Sequence, residues 1–184
     1  IMHYTARRKS DGSLRIGVAT SARPEGPFTD VHNGPMFDLG YAAIDGHVFI
    51  DDDGQAYFYF SKDCSENYVT PSLRASQMCV CKLSDDLLRI TSEPVTLFGP
   101  SEDYDFVILG DQAWNEAPYV LKKDGVYYMT YSANCYHTSD YCICLATAQK
   151  PFGPFRKAAG PIVVCDPDKK KDFSGPGHNA FFVD

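Results

Sequence analysis

No apolar run in this 184-residue chain approaches the ~18 residues that a membrane-spanning helix needs. No stretch sustains a 3.6-residue apolar period over about 12 positions, so no helix is expected. Basic charge is also scarce. Lys and Arg number 17 against 24 Asp and Glu, a net charge of −7 that leaves no basic stripe to track phosphates. These absences argue against nucleic acid and membrane as partners. The opening residues lack a signal-peptide pattern. Ile1-Met2-His3-Tyr4 and Phe182-Val183-Asp184 both read as strand interior, as if cut from a longer fold. Seven cysteines is an odd count in a chain too long for a small disulfide scaffold, so buried reduced thiols are expected.

Short β-branched and aromatic runs separated by turn signals are abundant. They include Val48-Phe49-Ile50, Tyr57-Phe58-Tyr59-Phe60, Met78-Cys79-Val80-Cys81, Tyr127-Tyr128-Met129-Thr130-Tyr131 and Tyr141-Cys142-Ile143-Cys144-Leu145. Asp53-Gly54 and Asp124-Gly125 sit between such runs, where tight hairpins need residues that tolerate positive φ. The Asp51-Asp52-Asp53-Gly54 cluster therefore reads as a turn, without the loop spacing of a calcium site. The two Cys-x-Cys pairs read as buried packing on like strands rather than as zinc ligands. Lys169-Lys170-Lys171 reads as a solvated loop. The chain is all-β.

Internal repetition fixes the architecture. Residues 4–28 match 131–155 without a gap at an offset of 127, with Gly26-Pro27-Phe28 on Gly153-Pro154-Phe155. An offset of 71 carries Asp53-Gly54 onto Asp124-Gly125, and an offset of 63 carries Cys79-Val80-Cys81 onto Cys142-Ile143-Cys144. Four-stranded units of this size read as antiparallel β-propeller blades with long loops. The expected organisation is a single partial propeller domain spanning 1–184. The outer part of blade one lies at 4–28, blade two at 45–98, blade three at 115–165 and the first strand of blade four at 176–184. Open blade edges are an association hazard, so self-association through them is expected.

Extended upstream, the 71 offset aligns Asp45 with Glu116, and an offset of 133 aligns His178 with Asp45. Three ionisable residues then begin the innermost strands of three successive blades and face one central pocket. Segments 62–75, 99–114 and 133–140 wall its mouth and carry Tyr68, Tyr104, Phe106, Trp114, Tyr136 and His137. Aromatic faces beside carboxylates suit sugar rings, and two carboxyl groups across a pocket suit glycoside hydrolysis.

At these residues the chain resembles glycoside hydrolase family 43, five-bladed propeller enzymes acting on arabinose- and xylose-containing glycans. Ala43-Ile44-Asp45-Gly46-His47-Val48-Phe49-Ile50-Asp51-Asp52-Asp53-Gly54 resembles that family's second-blade motif. Trp114-Asn115-Glu116-Ala117-Pro118 resembles the third-blade motif, with Ala117 where Gly is usual. Gly175-Pro176-Gly177-His178-Asn179 resembles the fourth-blade motif. The resemblance implies Glu116 as general acid and Asp45 as the residue that orients it and raises its pKa. Trp114, Asn115, Tyr136, His137, Phe106 and Tyr41 are the expected substrate contacts, and the resemblance places His178 beside an axial calcium or water site. No cofactor is required; a structural calcium is the metal that the resemblance allows. It places the general base on the innermost strand of the first blade, ahead of residue 1, and about 6.5–9.5 Å from Glu116 for inversion. The implied activity is inverting hydrolysis, α-L-arabinofuranosidase or β-xylosidase in type. The alternative is a sugar-binding propeller segment that is catalytically incomplete.

Overall fold

The computed structural model describes residues 1–166 and 174–181. Strands β1 (Met2–Arg7), β2 (Leu14–Thr20) and β3 (Thr29–Asp30) form a three-stranded antiparallel sheet. A second sheet of four strands takes β4 (Ala43–Ile50) and β5 (Ala56–Lys62), then β8 (Gln77–Lys82) and β9 (Val95–Phe98). Between β5 and β8 come a 3-10 turn, Cys64–Glu66, and the short strands β6 (Tyr68–Thr70) and β7 (Leu73–Ala75). Strand β10 (Gln112–Ala113) pairs parallel with β7, so β6, β7 and β10 make a small sheet of their own. The third large sheet runs in order through β11 (Asn115–Lys123), β12 (Val126–Ala133), β13 (Cys142–Ala148) and β14 (Arg156–Lys157). No α-helix occurs among the described residues. The architecture is a partial β-propeller.

Strand periodicity explains how the sheets stack. Side chains on a strand alternate between faces. On β5, Tyr57 and Tyr59 join a core shared with the third sheet, where Met129, Tyr131, Cys142 and Cys144 meet them. Phe58 and Phe60 point the other way, into a core with Ile16, Val18 and Phe37. Strand β8 divides likewise, Met78 and Val80 to one face and Cys79 and Cys81 to the other. The second sheet is buried on both faces, which is why its central strands read as unbroken apolar runs. Cys64, Cys79, Cys81, Cys135, Cys142 and Cys144 are buried free thiols, and Cys165 is half-buried.

The 127 offset maps β1, β2 and β3 onto β12, β13 and β14, and both Gly-Pro bonds it matches, 26–27 and 153–154, are cis. Residues 174–181 carry no assigned strand but lie against β11 and β12. Asn179 Nδ2 donates to Thr130 Oγ1 at 3.0 Å, and the Tyr119 hydroxyl donates to the Phe181 carbonyl at 2.7 Å. The rest of the expected fourth-blade strand, 182–184, and Lys169-Lys170-Lys171 lie outside the described residues.

The crossover from β9 to β11 is pinned from within. Lys157 Nζ donates to the Gly99 carbonyl at 2.7 Å, to Ser101 Oγ at 3.0 Å, and to Asn115 Oδ1 at 3.3 Å. It pairs with Asp105, whose side chain is fully buried and also accepts from the Tyr131 hydroxyl and the backbone N–H of Ser101 and Glu102. Removing one partner of such a pair strands the other charge in the interior. Lys157→Met should therefore lower stability by about 3–5 kcal/mol, read as a fall in the urea midpoint. Arg89→Ala, which opens the exposed Arg89–Asp86 pair, should leave the midpoint nearly unchanged. A Lys157→Met midpoint no lower than that of Arg89→Ala would refute the role given to the buried pair.

Candidate active site

The innermost strands β4 and β11 lie side by side, with His47 stacked on Tyr119 at 4.1 Å and Tyr119 against Phe181 at 5.5 Å. Near its start each strand breaks its ladder, β4 between Ile44 and His47 and β11 between Glu116 and Tyr119. The breaks have sequence causes. Pro118 has no N–H to give to the ladder. At Gly46 a Cβ would stand 2.2 Å from Phe58 Cζ, so any side chain there would collide with a core ring.

At the two breaks, and again before Asn179, the chain takes a left-handed conformation: Asp45 φ 57°, Ala117 φ 53°, His178 φ 51°. Non-glycine residues adopt it at a cost of roughly 1–2 kcal/mol, and such outliers cluster at functional sites. Each of the three N–H groups has a side-chain acceptor. Asp45 N donates to Thr5 Oγ1 at 3.2 Å, His178 N to Ser132 Oγ at 2.7 Å, and Ala117 N to Asp45 Oδ2 at 3.1 Å.

This corrects the expected register. Asp45 is the structural counterpart of Ala117, an offset of 72, and Glu116 is the counterpart of Ile44. The hairpin of the second sheet spans 51–55 between the Ile50–Ala56 pair, one residue longer than 123–126 between Lys122 and Tyr127. A gapless offset of 71 fits the second strands but misplaces the first by one residue. Asp45 and Glu116 still meet, because the Asp45 side chain reaches across to the residue that follows Glu116.

Glu116 is 8% exposed, and its Oε1 accepts from the Tyr141 hydroxyl at 2.8 Å. Burial pushes its carboxyl up to about 7, the Asp45 carboxylate adds to the rise, the Tyr141 hydrogen bond opposes it, and Asp63 contributes a smaller increase. Burial also raises Asp45, against the opposing pull of the His178 imidazole and the Ala117 N–H. Asp63, buried just past β5, accepts from the Ser65 N–H. Sequence reasoning passed over Asp63 and Tyr141. Both sit at strand ends on the pocket side, Asp63 closing β5 and Tyr141 preceding β13, and that position was the available signal.

The expected substrate contacts divide. Tyr136 is 63% exposed and stacks on His137 at 3.9 Å, while Phe106 is exposed on a 360 Å³ cavity that Val69 and Leu73 also line. Trp114 is half-buried, with its carbonyl accepting from Asn134 N. Asn115 is fully buried in the Lys157–Asp105 network and out of reach of any ligand. Tyr41 packs against the core between the first two sheets under Lys62 Nζ, 4.7 Å from its ring, with Cys79, Cys81 and Glu93 as its electrostatic neighbours. Tyr104 gives its hydroxyl to the Ala158 carbonyl and props the core.

His178 is exposed beside Asp45. Among the described residues no three His, Cys, Asp or Glu side chains converge on a metal-sized volume. One imidazole and one carboxylate already bonded to Ala117 do not make the six to eight oxygen ligands that calcium takes. The described donor set does not fit that ion.

A family model described as Glycosyl hydrolases family 43 matches residues 1–184. A xylosidase/arabinosidase of Bacteroides ovatus is 32% identical over 170 residues, covering 84% of this chain and 50% of its own length. A beta-D-galactofuranosidase of Aspergillus niger is 29% identical over 175 residues, with 91% of this chain and 43% of its own covered. Among solved structures, a thermostable family-43 glycoside hydrolase is similar at a TM-score of 0.88 and 46% identity, over 97% of this chain and 55% of that one. The chain spans about half the length of the curated relatives it matches.

A carboxyl raised by folding binds its proton more tightly folded than unfolded. Stability from Glu116 is therefore fully present below its ordinary value of 4.5 and is lost as pH rises through about 7. That gap corresponds to on the order of 3 kcal/mol. Glu116→Gln should remove this slope, so the variant gains on the parent between about pH 5 and 8 in urea titrations. Parallel pH profiles for the two proteins would contradict the buried, protonated assignment.

Proposed function

The chain belongs to glycosyl hydrolase family 43, and from that premise we propose that Glu116 is the proton donor of an inverting glycosidase acting on arabinose- or xylose-containing plant glycans. The observation that carries this reading is a buried carboxyl held near pH 7 next to a second carboxylate, at the end of the innermost strands. A general acid works best when its pKa lies near the working pH, where it is protonated often enough and still gives up its proton. As the glycosidic bond breaks, Glu116 gives its proton to the leaving oxygen. Asp45 holds the Ala117 N–H, and with it the turn that presents Glu116, and its charge discourages ionisation before the proton is needed. That role occupies Asp45, so water activation falls to another carboxylate, about 6.5–9.5 Å from Glu116 in an inverting pair. Tyr136, His137 and Phe106 offer ring faces at the mouth for a sugar to lie against. The xylosidase/arabinosidases among the relatives favour pentose-containing substrates.

The test is nitrophenol release from aryl α-L-arabinofuranosides and β-D-xylosides by the protein carrying this chain. Glu116→Gln should lower kcat/KM by roughly 10²–10⁴-fold on mononitrophenyl glycosides. It should lose much less on dinitrophenyl glycosides, whose leaving group needs little help from an acid. In the parent, the basic limb of kcat/KM should fall near pH 7, where Glu116 ionises. An equal loss on both leaving groups would remove Glu116 as the acid. Sugar binding without any turnover would identify a binding propeller instead.

A further inference from the structure

Tyr141 takes no part in the chemistry above, yet among the described residues it makes the one direct hydrogen bond to the Glu116 carboxyl. Beside the phenol lies Ser132, a fully buried residue of β12 and the cross-strand partner of Glu116. Ser132 Oγ in turn accepts the backbone N–H of His178. The ring is clamped in place: a Cβ on Gly177 would lie 1.9 Å from Tyr141 Cε1, so only glycine lets the 174–181 segment lie flat on it.

The Tyr141 hydroxyl donates to Glu116 Oε1 at 2.8 Å, and burial pushes the phenol's own pKa up, so it keeps that proton to give. Oε1 is an acceptor in both protonation states of the carboxyl. We infer that Tyr141 is a positioning residue that holds the Glu116 proton on Oε2, so that the acid presents its proton from one oxygen only. The inference deepens the reading of Glu116 as proton donor and rests on it for its catalytic meaning, though the proton placement stands on geometry alone. A proton fixed on one oxygen reaches the leaving group from one direction, with no carboxyl rotation in the transition state.

Other charged and titratable groups face Glu116, and the test must separate them. They are Asp45 on β4, Asp63 and Cys64 just past β5, and His178, which acts through Asp45. Tyr141→Phe leaves all four in place. The measurement is infrared difference spectroscopy across the Glu116 titration. The protonated-carboxyl C=O band that vanishes in Glu116→Gln identifies the residue. Loss of the phenol donor should shift that band to higher wavenumber in Tyr141→Phe, because a C=O freed of its hydrogen bond stiffens. The titration midpoint should move up by about one unit, since the lost bond favoured the charged form. An unmoved band in Tyr141→Phe, or a midpoint that falls, would overturn the inference. None of these readouts needs turnover. Activity lost with the band shifts as stated would leave the proton placement standing, and the expected shifts without any glycosidase activity would count only against the proposed function.

Discussion

The hydrogen bond from Ala117 N–H to Asp45 is the contact on which the rest of the site depends. In the neighbouring repeats the same left-handed N–H is met by a hydroxyl from the corresponding strand of the preceding sheet, Thr5 on β1 for Asp45 and Ser132 on β12 for His178. The hydroxyl at the equivalent place for Ala117 is Ser61, and its recorded contact is a weak one to Met78 Sδ at 4.0 Å. A carboxylate has taken over a structural hydroxyl's duty. The substitution brings a charge to the backbone turn next to Glu116, so the bond that shapes the turn also sets its electrostatics.

That arrangement works against stability. Three buried or half-buried carboxyl groups, Asp45, Asp63 and Glu116, crowd one end of β4, β5 and β11, and three non-glycine residues there are left-handed. Each left-handed residue costs roughly 1–2 kcal/mol and persists only where the surroundings dictate it. Here they do. The second sheet is covered on both faces, and its Phe58 ring closes against Gly46 with no space to relax. A rigid blade interface thus holds a strained pocket rim, and the strain falls where protons move.

The sequence carried the repeat, and hence the sheets, because strand spacing and turn chemistry are local. Tyr57 to Phe60 alternate between two cores as period-2 geometry requires, and the 127 offset maps three strands of the first sheet onto their counterparts in the third. Three readings went astray for different physical reasons. The 71 offset crossed a hairpin whose length differs between repeats, so Asp45 aligned with Glu116 rather than with Ala117. Asn115 looked like a ligand contact because it adjoins Glu116, yet neighbours on a strand face opposite ways. Tyr41 lies in the crossover that enters β4, and no local pattern says whether such a ring turns to the pocket or to the blade interface. Tyr141 read only as the first residue of a strand, because a hydrogen bond between residues 25 apart leaves no periodic trace.

The alternation at Asn115 and Glu116 has a consequence for how the site is supported. Asn115 points into the network of Lys157, Asp105 and Tyr131, and Glu116 points into the pocket. Two side chains on one short strand therefore join the most deeply buried ion pair of the third sheet to its most perturbed carboxyl. Lys157 comes from β14, the outermost strand of that sheet, and Asp105 from the crossover that leads into β11. The ion pair thus ties the rim of the blade to its innermost strand at the residue preceding Glu116. Loosening it would let β11 shift relative to β4, and the Ala117–Asp45 bond spans that gap. A hydrogen bond of 3.1 Å tolerates only a few tenths of an ångström before it weakens. Loss of the Ala117–Asp45 bond would uncouple the Asp45 charge from Glu116, so the acidity of the proton donor depends on packing at the far edge of its own sheet.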